Sequence, residues 1–275
     1  MRYDSLQGIM KPPTFGYPGS KAKLAPKLVA LMPRTGRVYF EPFVGRGNVF
    51  FCATQELQYK FWHINDIQHY AFFSVLRWFD PFVSIPYDTK TIVQIGKNFR
   101  EQTRNNPVWE FDDSLDPVMD VLVRPLLLLE PHVTFSGGGY KAGARKESKN
   151  SFDGFRKRLH TAHEILRSIP ETELMISGLD WHVWSKKRFN PEDLIYVDPP
   201  YMNANPGAYD TKNFDHVGLV KWLKRLKARW MLSEYKQDIY MRAFGSPLTF
   251  PAKVSMSKNV GQQQRDSVEC VWKNF

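Results

Sequence analysis

Short apolar runs, separated by stretches of helical period, constrain this chain more than any other feature. Arg37–Glu41, Lys60–Asn65, Glu173–Ser177, Leu194–Val197 and Trp230–Ser233 read as strands. Helical spacing appears from about Leu24, from about Asn48, over Gln68–Phe79, over Phe152–Ile169, near Asp215–Lys227 and over Gln237–Phe244. Strands separated by helices imply an α/β fold with a Rossmann-like, mostly parallel sheet. Leu248–Val254 and Ser267–Trp272 add two closing strands. Between Asp80 and Asn150 the pattern breaks: Pro and Gly recur and no period is sustained. That stretch reads as an inserted, mainly helical subdomain. The expected organisation is therefore one domain from 1–79 and 151–275, interrupted by 80–150.

Composition narrows the setting. A chain of 275 residues with 20 Phe, 12 Tyr and 8 Trp has ample material for a packed core, which excludes a disordered chain. The longest apolar run, around Leu126–Leu129, is far below the roughly 20 residues of a membrane helix, so no membrane is expected. Met1–Met10 holds no apolar run of the secretory kind. Cys52 and Cys270 alone exclude a disulfide framework or a Cys-rich zinc site, and the expected location is a reducing cytoplasm. His160 and His163 lie three apart on one helical face without a third ligand nearby, so no metal is expected.

Charge points to a partner. Lys and Arg outnumber Asp and Glu by 38 to 28, a formal charge of +10 that attracts polyanions. The cations cluster in Lys141–Arg158, in Lys221–Arg229, and at Lys253, Lys258 and Arg265.

Three motifs sit where such a sheet places its ligands. Glu41-Pro42-Phe43-Val44-Gly45-Arg46-Gly47-Asn48 follows the first strand, with glycines that allow a sharp turn and close ligand approach. Asp66 ends the next strand, where an acid commonly binds ribose hydroxyls. The third glycine of the dinucleotide fingerprint is absent, which lowers NAD or FAD and leaves other nucleoside cofactors open. Asp198-Pro199-Pro200-Tyr201 follows the fourth strand; its carboxylate, free carbonyl and aromatic face suit a flat base bearing an exocyclic amine. Phe15-Gly16-Tyr17-Pro18-Gly19-Ser20-Lys21 is a Gly/Pro turn ahead of a helix.

Together these segments resemble the Dam-type DNA adenine-N6 methyltransferases. The likeness runs through Tyr17-x-Gly19-Ser20-Lys21, the Glu41–Gly47 loop, Asn65-Asp66-Ile67, Ser177–Trp181, Asp198–Tyr201 and the closing Val268-Glu269-Cys270-Val271-Trp272. It spans nearly the whole chain outside 80–150. The resemblance implies the AdoMet-dependent methyltransferase fold, S-adenosyl-L-methionine as cofactor, and a target-recognition role for the insertion. Tyr17, Gly19, Lys21, Glu41, Pro42, Phe43, Gly45, Gly47, Asn48, Asp66, Ile67, Asp180, Trp181 and Asp198 would then form the cofactor site. Within it Phe43, Gly45 and Gly47 would line the methionine side, Lys21 the carboxylate, Asp66 the ribose, and Asp180 and Trp181 the adenine.

Asp198, Pro199, Pro200 and Tyr201 would be catalytic, acting on an adenine rotated out of double-stranded DNA. Lys141, Arg145, Lys146, Lys149, Arg156 and Arg158 are the expected DNA contacts, in a protein acting as a monomer or weak dimer. In place of the Arg/Tyr/Asn-rich segment of GATC-reading relatives stands Thr134-Phe135-Ser136-Gly137-Gly138-Gly139-Tyr140-Lys141, which leaves the target sequence open. The competing readings are N4-cytosine or RNA adenine methylation, and a catalytically silent DNA-binding protein of the same fold.

Overall fold

The computed structural model describes residues 12–15, 20–78, 80, 128–129, 132, 149–202, 214–252 and 267–275. The chain forms two compact units: Met1–Leu31, Gly45–Leu57 and Gln68–Glu171 make a helical unit, and Met32–Val44, Gln58–Ile67 and Thr172–Phe275 a sheet unit. The inserted subdomain expected over 80–150 lies almost entirely outside the described residues.

Four helices of the helical unit are described: α1 (Ala25–Ala30), α2 (Asn48–Glu56), α3 (Tyr70–Trp78) and α4 (Lys149–Ser168). Pro26 stands in the first turn of α1, where its missing N–H leaves no helical bond unmade. Phe15 packs edge-on against Phe51, Phe72 and Phe155, at centroid separations of 5.4 to 6.1 Å. Gly47 caps α2 with φ 75°, and a Cβ there would lie 2.8 Å from the Phe73 ring and 2.9 Å from that of Phe51. Left-handed backbone and these rings together require glycine at 47.

The sheet unit holds β1 (Thr35–Glu41), β2 (Gln58–Asn65), β3 (Leu174–Ser177), β4 (Leu194–Val197), β5 (Arg229–Tyr235), β6 (Leu248–Ala252) and β7 (Ser267–Lys273). It also holds α5 (Trp181–Ser185), α6 (His216–Arg225) and α7 (Asp238–Phe244). The seven strands run in the order β3-β2-β1-β4-β5-β7-β6. The first five are parallel, and β7 is antiparallel to both β5 and β6. This is the expected mostly parallel, Rossmann-like sheet. Its strand order reverses between β1 and β4, and ligands of such sheets bind outside the carboxyl ends at that point.

All four residues of β4 are buried, as a central parallel strand requires. Ile195 and Val197, with Trp230 and Leu232 of β5 and Cys270 and Trp272 of β7, pack with Leu219, Trp222 and Leu223 of α6 and Tyr240 of α7. Strand alternation turns Tyr39, Glu41, Tyr196 and Ser233 to the other face. Strand positions follow the sequence expectation within one or two residues. Helix α5 was not expected: five residues are too few to show a period.

Candidate active site

Asp198 follows β4 directly, so the switch point places it beside the end of β1. Its charge is felt by several deeply buried groups. Glu41, at the end of β1 and 1% exposed, accepts a bond from the Tyr39 hydroxyl. Burial raises its carboxyl well above the ordinary 4.5 against that bond, and Asp198 adds to the rise. Burial, then Asp198, raises the Tyr196 phenol, whose oxygen lies 2.9 Å from the Ser233 hydroxyl. Burial and then Asp198 likewise raise Tyr201, whose hydroxyl donates to Glu269 while its ring meets Tyr235 edge-on at 4.7 Å. Glu234 accepts N–H bonds from Tyr235 at 2.8 Å and Met202 at 3.3 Å, yet burial still drives its carboxyl to about 9.

The ends of β1, β2 and β3 are tied by one side chain. Asn65 Nδ2 donates to the carbonyls of Pro42 and Leu179, both at 2.9 Å. Its Oδ1 accepts from the Ser177 hydroxyl at 2.8 Å and the Leu179 N–H at 2.9 Å. The Val44 N–H donates to the Asn65 carbonyl and the Asp66 N–H to that of Ser177, at 3.0 and 3.1 Å. These bonds set Phe43, Asp66 and the Asp180 turn relative to one another. Asp66 is 8% exposed, while Ile67 beside it is 61% exposed. Asp180 caps α5 by accepting the His182 N–H at 2.8 Å, and its Oδ1 lies 2.7 Å from His182 Nδ1. Trp181, Phe43 and Phe214 meet at 5.5 to 6.4 Å, an aromatic wall beside that cap.

Other expected residues lie in the helical unit. Gly45 has φ 54°. Asn48 Nδ2 donates to the Phe15 carbonyl at 3.2 Å and to the Ser20 hydroxyl at 2.9 Å, and its Oδ1 accepts the Phe15 N–H. This joins the N-terminal motif to the start of α2. Lys21 is buried ahead of α1. Tyr17, Gly19, Lys141, Arg145 and Lys146 lie outside the described residues, and Lys149 opens α4. Arg156 and Arg158 are half-buried on α4, Arg158 over the Phe155 ring. His163 Nδ1 lies 2.6 Å from the Leu76 carbonyl, and His160 pairs with Glu164 at 3.4 Å. Among the described residues no three His, Cys, Asp or Glu side chains could hold a metal ion, and no helix is long and apolar enough to cross a membrane.

Asn65 and Glu269 stand in the quoted segments without a role there, and Glu234 falls in none of the motifs. The only signal they carried was position: each stands at or beside the end of a strand.

Residues 17–112 match the family described as D12 class N6 adenine-specific DNA methyltransferase. That segment carries the Glu41–Asn48 loop and Asp66, in agreement with the Dam-type resemblance, and supports DNA adenine methylation. Among solved structures, a protein assigned as a methyltransferase from Pseudomonas syringae aligns over 92% of this chain and 97% of its own, with 10% identity and a TM-score of 0.32. At that score the shared geometry does not define a fold, which the strand order itself does.

Proposed function

We propose that this protein transfers a methyl group from S-adenosylmethionine to N6 of an adenine rotated out of double-stranded DNA. The observation that carries the reading is the position of Asp198-Pro199-Pro200-Tyr201 at the carboxyl end of β4, at the point where strand order reverses. The nucleoside part of the cofactor suits the groups gathered there. Asp66 is an acid at the end of β2 for the ribose, and Phe43 and Trp181 offer flat apolar faces near Asp180.

When bound, S-adenosylmethionine supplies an electrophilic methyl group. Adenine N6 is a poor nucleophile because its lone pair is delocalised into the ring. The Asp198 carboxylate and the Pro199 carbonyl accept hydrogen bonds from its two N–H groups, an arrangement that becomes stronger as positive charge develops on nitrogen, and one of the two protons leaves once the nitrogen carries the methyl group. Pro199 and Pro200 bring no N–H to compete for those acceptors. Tyr201 offers a ring on which the rotated base stacks. The inserted region and the cations of Lys141–Arg158 supply the DNA-facing surface in this reading.

Incubation with radiolabelled S-adenosylmethionine and DNAs of varied sequence, followed by digestion to nucleosides, tests it. Label in N6-methyldeoxyadenosine is expected; label in N4-methyldeoxycytidine, or none in any DNA, overturns it.

A further inference from the structure

We propose that Glu234 and Glu269 are positioning residues for the Asp198 turn, gripping the two residues that follow its prolines from opposite faces of the β5–β7 ladder. This rests on the methyl-transfer reading and deepens it. Neither carboxylate touches the reacting atoms in that reading; both act through Tyr201 and Met202.

The geometry comes from strand register. Tyr235 pairs with Glu269 and Glu234 with Cys270, so alternation sends the two glutamates to opposite faces. From one face Glu269 accepts the Tyr201 hydroxyl, while the Tyr235 ring meets that of Tyr201 at 4.7 Å. From the other, Glu234 Oε2 accepts the Met202 N–H at 3.3 Å, with Oε1 held by the Tyr235 N–H at 2.8 Å. Gln237 Nε2 completes the grip at the Met202 carbonyl, at 3.5 Å. Glu234 is 0% and Glu269 4% exposed.

The grip falls immediately after the two prolines. Pro199 and Pro200 have no N–H, so no donor of theirs can anchor the turn. Tyr201 and Met202 come next, and both are held, Tyr201 through its side-chain hydroxyl and Met202 through its backbone N–H. Buried carboxylates are an expensive way to accept a hydroxyl or amide proton, since burial opposes their charge. Their presence on both faces at this one turn suits a role in holding Asp198 and Pro199 within the fraction of an ångström that transfer tolerates.

Side-chain replacements in the full-length protein test this. Glu269→Leu and Glu234→Leu keep bulk and remove the acceptor; Glu269→Gln keeps the acceptor oxygen for Tyr201, and Glu234→Gln keeps one oxygen, which can serve Met202 or Tyr235 but not both. The leucine variants should lose roughly 30-fold or more in kcat, with KM for DNA and Kd for S-adenosylmethionine within about threefold. Glu269→Gln should recover most of the loss, and Glu234→Gln part of it. Tyr201→Phe combined with Glu269→Leu should be no worse than the worse single variant, because both remove one bond.

Hydrogen exchange of the peptide containing Met202 reads the grip without turnover: faster than wild type in Glu234→Leu, and slower in Glu234→Gln than in Glu234→Leu. Leucine variants with wild-type kcat, a loss confined to KM, or Glu269→Gln as impaired as Glu269→Leu overturn the proposal. If the leucine variants do not fold, the glutamine variants, Tyr201→Phe and the exchange data decide it. Failure of the methyl-transfer reading looks different: the wild type itself then labels no DNA, while exchange at Met202 still answers for the grip.

Discussion

At the amino ends of the parallel strands Asp193 is fully buried, with Arg37 2.6 Å away and the Asn190 N–H donating to it at 2.7 Å. At the carboxyl ends Glu41 and Glu234 are buried as deeply, but their donors are a tyrosine hydroxyl and backbone amides. The first acid faces a guanidinium and joins the start of β4 to β1. The second pair is pushed towards the neutral form, with Asp198 adding to the push. Burying acids in that way opposes stability, and in the proposed reading this strain falls at the end of the sheet that holds Asp198.

The sharpest break between the two ends comes from removing one acid from each. Asp198→Ala should keep cofactor binding and lose methyl transfer by several orders of magnitude, since the carboxylate matters most as charge develops. Activity within about tenfold of wild type, or roughly 1.4 kcal/mol, rejects its role. Asp193→Ala should do the reverse. Losing the acceptor of the Asn190 N–H and of the partly exposed Arg37 costs about 1–3 kcal/mol of stability in urea unfolding, while turnover per folded molecule stays at the wild-type value. A large loss of turnover in folded Asp193→Ala would remove the contrast.

The pH dependence of stability carries the same contrast more finely. Glu234 has an ordinary value of 4.5 and a folded one of about 9, so between those values the unfolded chain releases a proton that the native state keeps. Stability therefore falls as pH rises through that window. His63 acts with opposite sign. Buried against Phe40 and Trp184, it drops from 6.5 to about 4, so its contribution is lost as pH falls through that range. Glu234→Gln, which resembles the neutral acid, should decline less in Tm from pH 5 to pH 8 than the wild type. Parallel curves for the two proteins would place the proton elsewhere.

How much of this was legible follows from the range of each signal. The strands showed because apolar runs are local, and the residues at their ends could be named from neighbours in sequence. Asn65 could not be given its role, because its four bonds go to Pro42, Ser177 and Leu179, brought together only when β1, β2 and β3 lie side by side. Nothing in Ser233-Glu234-Tyr235 separates a buried acid from an exposed one; the antiparallel return of β7 does so. Gly47 was legible as a turn, but the rings of Phe51 and Phe73 that exclude a Cβ there were not.

The smallest expected effect concerns which cations meet DNA. Arg229 begins β5 level with Leu194, and α6 runs into it, so Lys221 and Lys224 belong to a helix whose last turn leads to the amino ends. Asp198 lies beyond the far end of β4, about 13 Å of strand away at roughly 3.3 Å per residue. In the proposed reading the duplex is held instead by the cations of Lys141–Arg158. Neutralising Lys146 and Lys149 should weaken binding to all sequences alike and shallow the slope of log K against log salt by about 0.9 for each phosphate no longer neutralised. Replacing Arg145 or Arg156 should instead relax preference at one base pair, by about 1–3 kcal/mol, if that side chain reads a guanine edge. Neutralising Lys221 and Lys224 should leave the slope unchanged. The opposite pattern, a steady slope in the first set and a shallower one in the second, would bring the DNA to the α6 face and detach its binding from the acid-lined end of the sheet.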